Sequence, residues 1–482
     1  MAFLDIVMKF SRHEENQCRI SDFPEELIQM IFRAYVSGRT LSRTPTKPTI
    51  RYSRWCNANV IKLLHVNRAW RRVALDTREL WSSIYMYNPS KMILDTFDSW
   101  LLIVEKLVRK KDALVDVYLE SSDGYMTEHA LISVFDILDR IRNLDIILPQ
   151  CTLDKFSFVR KGGLIKFLRR FMCAHPSAPV ERIRISLSDE IQVKRRKNLL
   201  DVWQYMVTLP NIQHIVWDYK PQLPPISELT REVAQGHLRF LEVRELTFCD
   251  MHWLLTANPA LEEFRVLDDL SFDAVPDNIQ PFEHPRLKAL SLRGTDILPA
   301  LDPYTFPSLE KLYLSYCMGT KKFGILTEFI QRSKPHITHY TFAQRYDMIM
   351  GEEDHNISHL DMCRKYLNST IHHFALHGAI TEIVAKMLMA RLPDGTHEFV
   401  PTAKYLDVAV DGLEGGIVSD LVFSRAAVYK RPPPEQYHQL MRATGGEVVE
   451  FTLRRTGPYG LGDKGRLAAM EREYVVIRRL SN

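Results

Sequence analysis

The stretch of this chain that comes nearest to a known chemical motif is a glycine-rich turn close to its C-terminus. Gly460, Gly462 and Gly465 have the G-x-G-x-x-G spacing with which a strand–turn–helix unit brings backbone amides to the pyrophosphate of a dinucleotide. A strand over 448–453 and a helix over 466–472 are predicted on either side of the turn. The remaining sequence leaves no room for a full nucleotide-binding half or for an acidic residue on a next strand. We interpret the motif as an ordinary glycine-rich loop, with a nucleotide-using enzyme centred on it as an alternative.

Four histidines near a run of acidic residues are the candidate metal ligands of the sequence. His336, His339, His355 and His359 flank the acidic residues 352–354. No pair has the H-E-x-x-H spacing with which a helix presents two ligands to zinc. We therefore expect no metal site, and we interpret these histidines as solvated loop residues.

Composition and charge exclude several further classes. Seven cysteines are scattered without a C-x-x-C pair, which is typical of a reduced intracellular protein. A formal net charge of +4 over 482 residues is small for a nucleic-acid binder, and the basic run 194–197 is interpreted as a charged turn before a helix rather than a nuclear signal or anion patch. No run approaches the roughly 18 apolar residues of a membrane span. We expect a cytoplasmic or nuclear protein with no membrane partner, nucleic acid or cofactor.

Two short apolar helices are predicted near the N-terminus. Asp22, Pro24 and Glu25 form a helix-start signal, and apolar residues then recur about every four positions through 35. A second stretch, 60–75, repeats this spacing beside a basic face. Both helices are too apolar to face water and too small to close a core alone, which suggests a module completed by another protein.

The residue order of this region resembles the F-box. It reads Phe-Pro-Glu-Glu-Leu-Ile from residue 23, Val-Asn-Arg-Ala-Trp-Arg from residue 66 and Leu-Trp-Ser-Ser-Ile from residue 80, which is most similar to the fungal group that ends the motif on Leu-Trp. Phe23 replaces the usual Leu, Asn67 stands where Cys is commoner, and the polar insert 36–59 is expected not to pack.

The resemblance implies that residues 20–86, after a tail at 1–19, dock on the Skp-type adaptor of a cullin-RING ubiquitin ligase. The matching residues, expected to contact the adaptor through apolar burial, are Phe23, Pro24, Leu27, Ile28, Ile31, Leu63, Val66, Trp70, Leu80 and Trp81.

The remaining residues, 87–482, repeat the pattern apolar-x-x-apolar-x-apolar. Its copies begin at 114, 141, 180, 212, 238, 261, 287, 309, 337, 371, 403 and 448. Each copy predicts a short strand and a return segment that bury their apolar faces only when the next unit stacks on them. Candidate helices between the strands are 99–110, 126–141, 163–173, 197–208, 323–333 and 380–392.

The central spacing of 22 to 28 residues is similar to that of leucine-rich repeats. We therefore predict an α/β fold in which an irregular leucine-rich-repeat solenoid follows the helices, with a parallel sheet on the concave face and helices outside. An α/β domain whose parallel strands happen to be leucine-rich is the alternative.

Strand alternation predicts which side chains of each copy are accessible. If the fourth and sixth positions face inward, the third and fifth line the concave face. These residues include aromatic and charged types, and neither positive nor negative charge dominates, which suits a protein partner better than a polyanion. The expected substrate contacts are Arg182, Arg184, His214, Glu242, Arg265, Lys311, Tyr313, His339 and His373.

Together, these features predict a non-catalytic substrate-recognition subunit of an SCF-type ubiquitin ligase. The F-box would bind the Skp-type adaptor, and the repeats would hold a protein substrate close to the ubiquitin carrier for ubiquitin-dependent catabolism. The alternative is a leucine-rich-repeat interaction scaffold without a ligase role, whose N-terminal helices are only an end cap.

Overall fold

The computed structural model divides the chain into two compact units, residues 1–224 and 225–482. The described residues of the first unit are 23–37, 50–52, 63–81, 83–87, 114–120, 134, 138–148, 178–187, 203, 206–207 and 209–218. Those of the second are 237–271, 279–295, 297–316, 323–344, 355–410, 413, 416–425, 450–454, 464, 466–468 and 476–480. The tail 1–19, the basic run 194–197, the acidic residues 352–354 and most of the glycine-rich turn lie outside them. So do four predicted helices, apart from a few residues: 99–110, 126–141, 163–173 and 197–208. The predicted boundary after residue 86 stays a prediction.

Two helices open the described part of the first unit: α1 (Glu25–Ser37) and α2 (Arg68–Asp76). The first turn of α1 begins where the amides of Leu27 and Ile28 bond to the carbonyl oxygen of Pro24. Its N-terminal carboxylates complement the helix dipole. The helices pack through the rings of Phe32 and Trp70, whose centroids are 4.9 Å apart.

Asn67 is the N-cap of α2. Its side-chain oxygen accepts a 2.8 Å hydrogen bond from the amide of Trp70, which satisfies one of the backbone donors that a helix start leaves free. Cysteine, which is commoner here in the F-box pattern, is a poorer acceptor. The departure at this position therefore has a local structural reason.

The strands of the first unit form a parallel sheet in sequence order. They are β1 (Ile50–Tyr52), β2 (Ser83–Tyr87), β3 (Val115–Glu120), β4 (Ile141–Leu148), β5 (Arg182–Leu187) and β6 (His214–Asp218). β1 lies inside the insert 36–59, so the expectation that this insert does not pack is wrong for three of its residues. They join the sheet through backbone hydrogen bonds to β2, and these bonds need no apolar side chain.

The second unit continues the same design with more strands. Its main parallel sheet contains β7 (Phe240–Thr247), β8 (Glu263–Ser271), β10 (Ala289–Gly294), β12 (Lys311–Tyr316), β13 (His339–Gln344), β14 (His373–Ala379), β15 (Tyr405–Ala409), β16 (Glu450–Arg454) and β17 (Val476–Leu480), in that order. β9 (Phe282–Glu283) and β11 (Tyr304–Thr305) form a separate two-stranded sheet.

Helices lie between these strands: α3 (Phe248–Ala257), α4 (Phe323–Ser333), α5 (His355–Met362), α6 (Glu382–Met389) and α7 (Ile417–Arg425). The prediction for 323–333 is confirmed residue for residue, and that for 380–392 is confirmed with shorter bounds. α3, α5 and α7 were not predicted. Among the described residues no helix is long and apolar enough to cross a membrane.

The predicted strand register is confirmed in all twelve copies of the pattern. The fourth and sixth residues are buried in each copy, as with Leu312 and Leu314 of β12. The third and fifth residues lie on the opposite face, aligned from strand to strand; Lys311 is paired with His339, and Tyr313 with Thr341. The α/β class with a large parallel sheet and helices outside it is thereby established.

Candidate functional site

The helix pair places the ten expected adaptor contacts in two different environments. Ile28, Leu63, Trp70, Leu80 and Trp81 are buried. Trp81 also donates from Nε1 to the carbonyl oxygen of Ala74 at 2.8 Å, which ties the 3₁₀ turn Arg78–Trp81 to the end of α2. These five side chains pack inside the protein.

The other five expected contacts are accessible. Phe23 and Ile31 are half-buried, and Pro24, Leu27 and Val66 are exposed, with exposed fractions of 44% at Leu27 and 53% at Val66.

Met30, which was not among the expected contacts, is the most exposed large apolar side chain of α1, at 60%. It follows Leu27 by three positions, so the two side chains are neighbours on one side of the helix. We call Leu27 and Met30 the α1 face. The apolar residues all round the sequence of α1 signalled such a face, but the sequence could not say which of them the protein itself covers.

The accessible face of α2 is basic. Arg68, Arg71 and Arg72 are exposed. Arg71 donates from Nε to the carbonyl oxygen of Leu64 at 2.9 Å, and Arg72 lies 3.9 Å from the Glu25 carboxylate. Both contacts are exposed and therefore weak, so the guanidinium groups are available to an acidic partner.

The strand face of the first unit is a network of ion pairs. Asp116 accepts hydrogen bonds from Arg142 at 3.1 and 2.9 Å and from Asn143 at 2.8 Å. Arg182, an expected substrate contact, is bonded to Asp145 at 3.3 Å, and burial raises the pKa of Asp145. Arg184 and His214 stand on the same face. The network orders this surface and leaves its cations partly accessible.

In the second unit, five of the expected substrate contacts line one depression. It has a volume of about 450 Å³ and crosses β8, β10, β12, β13 and β14. The five are Arg265, Lys311, Tyr313, His339 and His373. Glu242 lies beside them and accepts from Arg265 at 3.4 Å. The aligned register of consecutive strands brings these side chains together.

A row of rings begins in the depression with His339 and His373 and continues beyond it to Tyr405. The His339 and His373 rings are stacked with centroids 5.4 Å apart, and the Tyr405 ring follows 6.0 Å from that of His373. Burial lowers the pKa of His339, and the nearby His373 and Lys311 lower it further. Burial also lowers the pKa of His373. Both shifts favour the uncharged form of these imidazoles.

Asp407 organises the far end of this face, although it was not among the expected contacts. Its carboxylate accepts two hydrogen bonds from Arg454, at 2.8 and 2.7 Å, and one from His377 at 3.0 Å. Burial raises the pKa of Asp407, but the hydrogen bonds from His377 and Arg454 outweigh it, and the pKa lies below its ordinary value. Asp407 is the fifth residue of the pattern copy that begins at 403, a position predicted to line the concave face, and this position could have identified it.

The candidate metal ligands do not form a site in the described part of the chain. No group of three or more His, Cys, Asp or Glu residues there could hold an ion. The interpretation of His359 as a solvated loop residue is wrong, because it is fully buried. Its ring stacks on Phe342 at 3.8 Å, and Nδ1 is hydrogen-bonded to the Tyr340 hydroxyl.

The glycine-rich turn is followed by a strand that the sequence did not predict. Residues 466–468 are helical, and β17 then pairs in parallel with β16. The sequence was expected to leave no room for a full nucleotide-binding half or for an acidic residue on a next strand, and the structure adds a strand at this place. The sequence of β17, VIRRL, contains no acidic residue that could bind a ribose. The strand therefore adds no dinucleotide-binding residue of this kind.

Comparison with known proteins adds no assignment. No protein-family model matches this sequence, and no curated protein matches it.

Proposed function

We propose that this chain is the substrate-recognition subunit of a cullin-RING ubiquitin ligase, docking through its helix pair on a Skp-type adaptor. One observation carries the proposal. α1 and α2 share an interior through Phe32 and Trp70, yet the α1 face keeps Leu27 and Met30 in solvent. Apolar side chains that a small helical module leaves uncovered are what a partner helix would bury.

The connection of the helix pair to the sheet supports a positioning role. The Thr77 amide bonds to the Val73 carbonyl oxygen at 2.9 Å, and the turn Arg78–Trp81 leads almost at once into β2, whose Ile84 and Met86 are buried. Only residues 77–82 separate α2 from β2. A receptor built this way would hold its adaptor at a fixed distance from the sheet.

The strand face supports a protein as the bound substrate. Its depression combines a phenol, imidazoles and cations with partly paired carboxylates, a mixture that suits a polypeptide better than a polyanion. On this proposal the chain itself does no chemistry and acts in the cytoplasm or nucleus, where ubiquitin ligases work.

A second candidate is an interaction scaffold without a ligase role. The burial of Trp70 and Trp81 favours it, because an end cap of a repeat array needs apolar residues directed at its own protein. This candidate predicts that the strand face binds a protein and that the α1 face binds no adaptor.

Charge substitutions on the α1 face separate the two candidates. Leu27→Glu and Met30→Glu each place a carboxylate in the proposed interface, where leaving it unpaired is unfavourable. We expect each to weaken adaptor binding at least tenfold, about 1.4 kcal/mol, in calorimetric titrations of the full chain with a purified Skp-type adaptor. Ile383→Glu is the matched control, because the exposed fraction of Ile383 on α6, 59%, is nearly the same as the 60% of Met30. Trp70 and Trp81 are unsuitable, since their loss would disturb the fold.

Equal affinity in Met30→Glu and Ile383→Glu would place the adaptor elsewhere on the chain and refute the α1 face as the docking site. Failure of the folded wild type to bind any adaptor would leave the scaffold as the better candidate.

A further inference from the structure

The second unit contains a buried cation without a carboxylate partner among the described residues. Arg425, the last residue of α7, is fully buried. Its Nη2 donates to the carbonyl oxygen of Phe399 at 2.7 Å, while Nε and Nη1 have no partner. A buried guanidinium is normally bonded to an acid, because desolvation of the charge is otherwise uncompensated.

His397 and Arg391 lie beside this guanidinium. His397 is buried, with 5% exposure, and its ring faces the backbone at Ala390 and Ser424. Burial, and then the charges of Arg425 and Arg391, lower the pKa of His397 to about 4. Burial and Arg391 likewise lower the pKa of Arg425 to about 9. Three nitrogen-rich side chains thus share a positive field.

Four described carboxylates on the surrounding elements are engaged elsewhere. Glu382 of α6 pairs with Lys386, and Asp420 of α7 pairs with Arg466, both at 2.6 Å. Residues 390–398 form a hairpin in which Arg391 and His397 are paired antiparallel, and this hairpin has two acids of its own. Its Asp394 accepts from the amide and hydroxyl of Thr396, and its Glu398 pairs with Arg364 at 2.6 Å. The positive field therefore has no internal counter-ion among these groups.

We propose that Arg425, Arg391 and His397 form a binding site for a phosphate oxyanion. Guanidinium N–H donors match the oxygens of a phosphate, and a bound dianion would also favour protonation of the imidazole, turning its second nitrogen into a donor. The proposal is independent of the adaptor role.

Arg391 connects the site to solvent. Its side chain lies at the surface and is held by the carbonyl oxygens of Gly395, at 2.7 Å, and Ser424, at 2.6 Å. These two bonds bring the hairpin against the end of α7. Phe423 precedes Ser424 in the chain, and Leu392 follows Arg391. Their side chains are 68% and 43% exposed. The phosphate could belong to a small ion or to a phosphorylated side chain whose flanking residues rest on these apolar groups.

Thermal unfolding of the full chain, with inorganic phosphate and with chloride at equal ionic strength, tests the site. We expect phosphate to raise the Tm of the wild type and Arg391→Gln to weaken its apparent affinity about tenfold. Arg425→Met should abolish the phosphate response while unfolding without phosphate at the same or a higher temperature, because an uncompensated charge is removed. O-phosphoserine as a second probe distinguishes a protein-borne phosphate, which it would mimic, from a site restricted to the free ion.

The His397 ring provides a readout that does not depend on stability. In imidazole NMR spectra, phosphate should raise the pKa of His397 by one unit or more, and Arg391→Gln should reduce that shift. An unchanged His397 pKa would overturn the proposal. So would a phosphate-induced rise in Tm that is equal in the wild type and Arg391→Gln, since general exclusion of phosphate from protein surfaces acts on both alike. A large loss of stability in phosphate-free Arg425→Met would mean that Arg425 serves the fold instead.

Discussion

Two polar side chains of this protein, His359 and Asn67, are held in place by contacts of different range. The residues around His359 in the sequence are typical of a solvated loop. Its ring is nevertheless stacked on Phe342 and hydrogen-bonded to Tyr340. Those partners come from β13, about 20 positions earlier in the chain, and only folding brings them together. Asn67 is the opposite case. A departure from a family pattern has a local explanation, an N-cap, that could have been predicted from the helix boundary.

The buried imidazole of His397 makes stability depend on pH. Its pKa is about 4 in the folded chain and about 6.5 when unfolded, so between these values the unfolded chain binds more protons. The free energy of unfolding therefore rises with pH across this window. The contribution of His397 to stability is complete above about pH 6.5 and is lost as the pH falls towards 4. We expect His397→Gln to reduce the slope by up to about 1.4 kcal/mol per pH unit, measured by urea unfolding in phosphate-free buffer.

His336→Gln, a change at an exposed histidine, is the control for this measurement. Parallel pH profiles for His397→Gln and the wild type would contradict a neutral buried imidazole. Other histidines with lowered pKa, such as His339 and His373, contribute in the same direction, so a residual slope is expected in the variant.

At the scale of elements, the sequence predicted strands far better than helices. A buried apolar residue at every second position leaves one register for each strand, which is why all twelve copies are placed correctly. α3 and α7 were missed because they are apolar on more than one side, as with Phe248 and Val422, and a helix without a polar face has no clear period. β17, VIRRL, does not carry the template spacing at all.

Close packing between the neighbouring strands β8 and β10 makes a prediction at Gly294, the last residue of β10. A Cβ atom there would lie 2.8 Å from Cγ2 of Ile297 and 2.9 Å from the carbonyl oxygen of Leu270. The backbone at Leu270 cannot move aside without shifting β8. We expect Gly294→Ala to lower the free energy of unfolding by about 1–3 kcal/mol, measured by denaturant titration.

Gly324→Ala is the matched control, because a Cβ atom at Gly324 in α4 meets nothing within 4 Å. Alanine in a helix should be neutral or stabilising by up to about 1 kcal/mol. A Gly294→Ala protein as stable as Gly324→Ala would mean that the two strands are not closely packed at this point.

At the scale of the whole molecule, the sequence indicated the fold class and the side chains that share a face, because both follow from short-range periodicity. It could not separate the accessible apolar residues of the helix pair from the buried ones. Leu27 and Trp70 are equivalent as apolar matches to a motif, but one is 44% exposed and the other 7%. The sequence also could not identify the site around Arg425, because its positive charge is uncompensated only where the folded chain pairs nearby acids with other groups.

The mass of the complex shows whether the helix pair docks on a Skp-type adaptor, as we propose. Full-length protein and purified adaptor would be mixed and separated by size-exclusion chromatography with light scattering. We expect a peak with the summed mass of one copy of each chain, which Met30→Glu abolishes and Ile383→Glu preserves. Elution of the two wild-type proteins as separate species at micromolar concentration would contradict it.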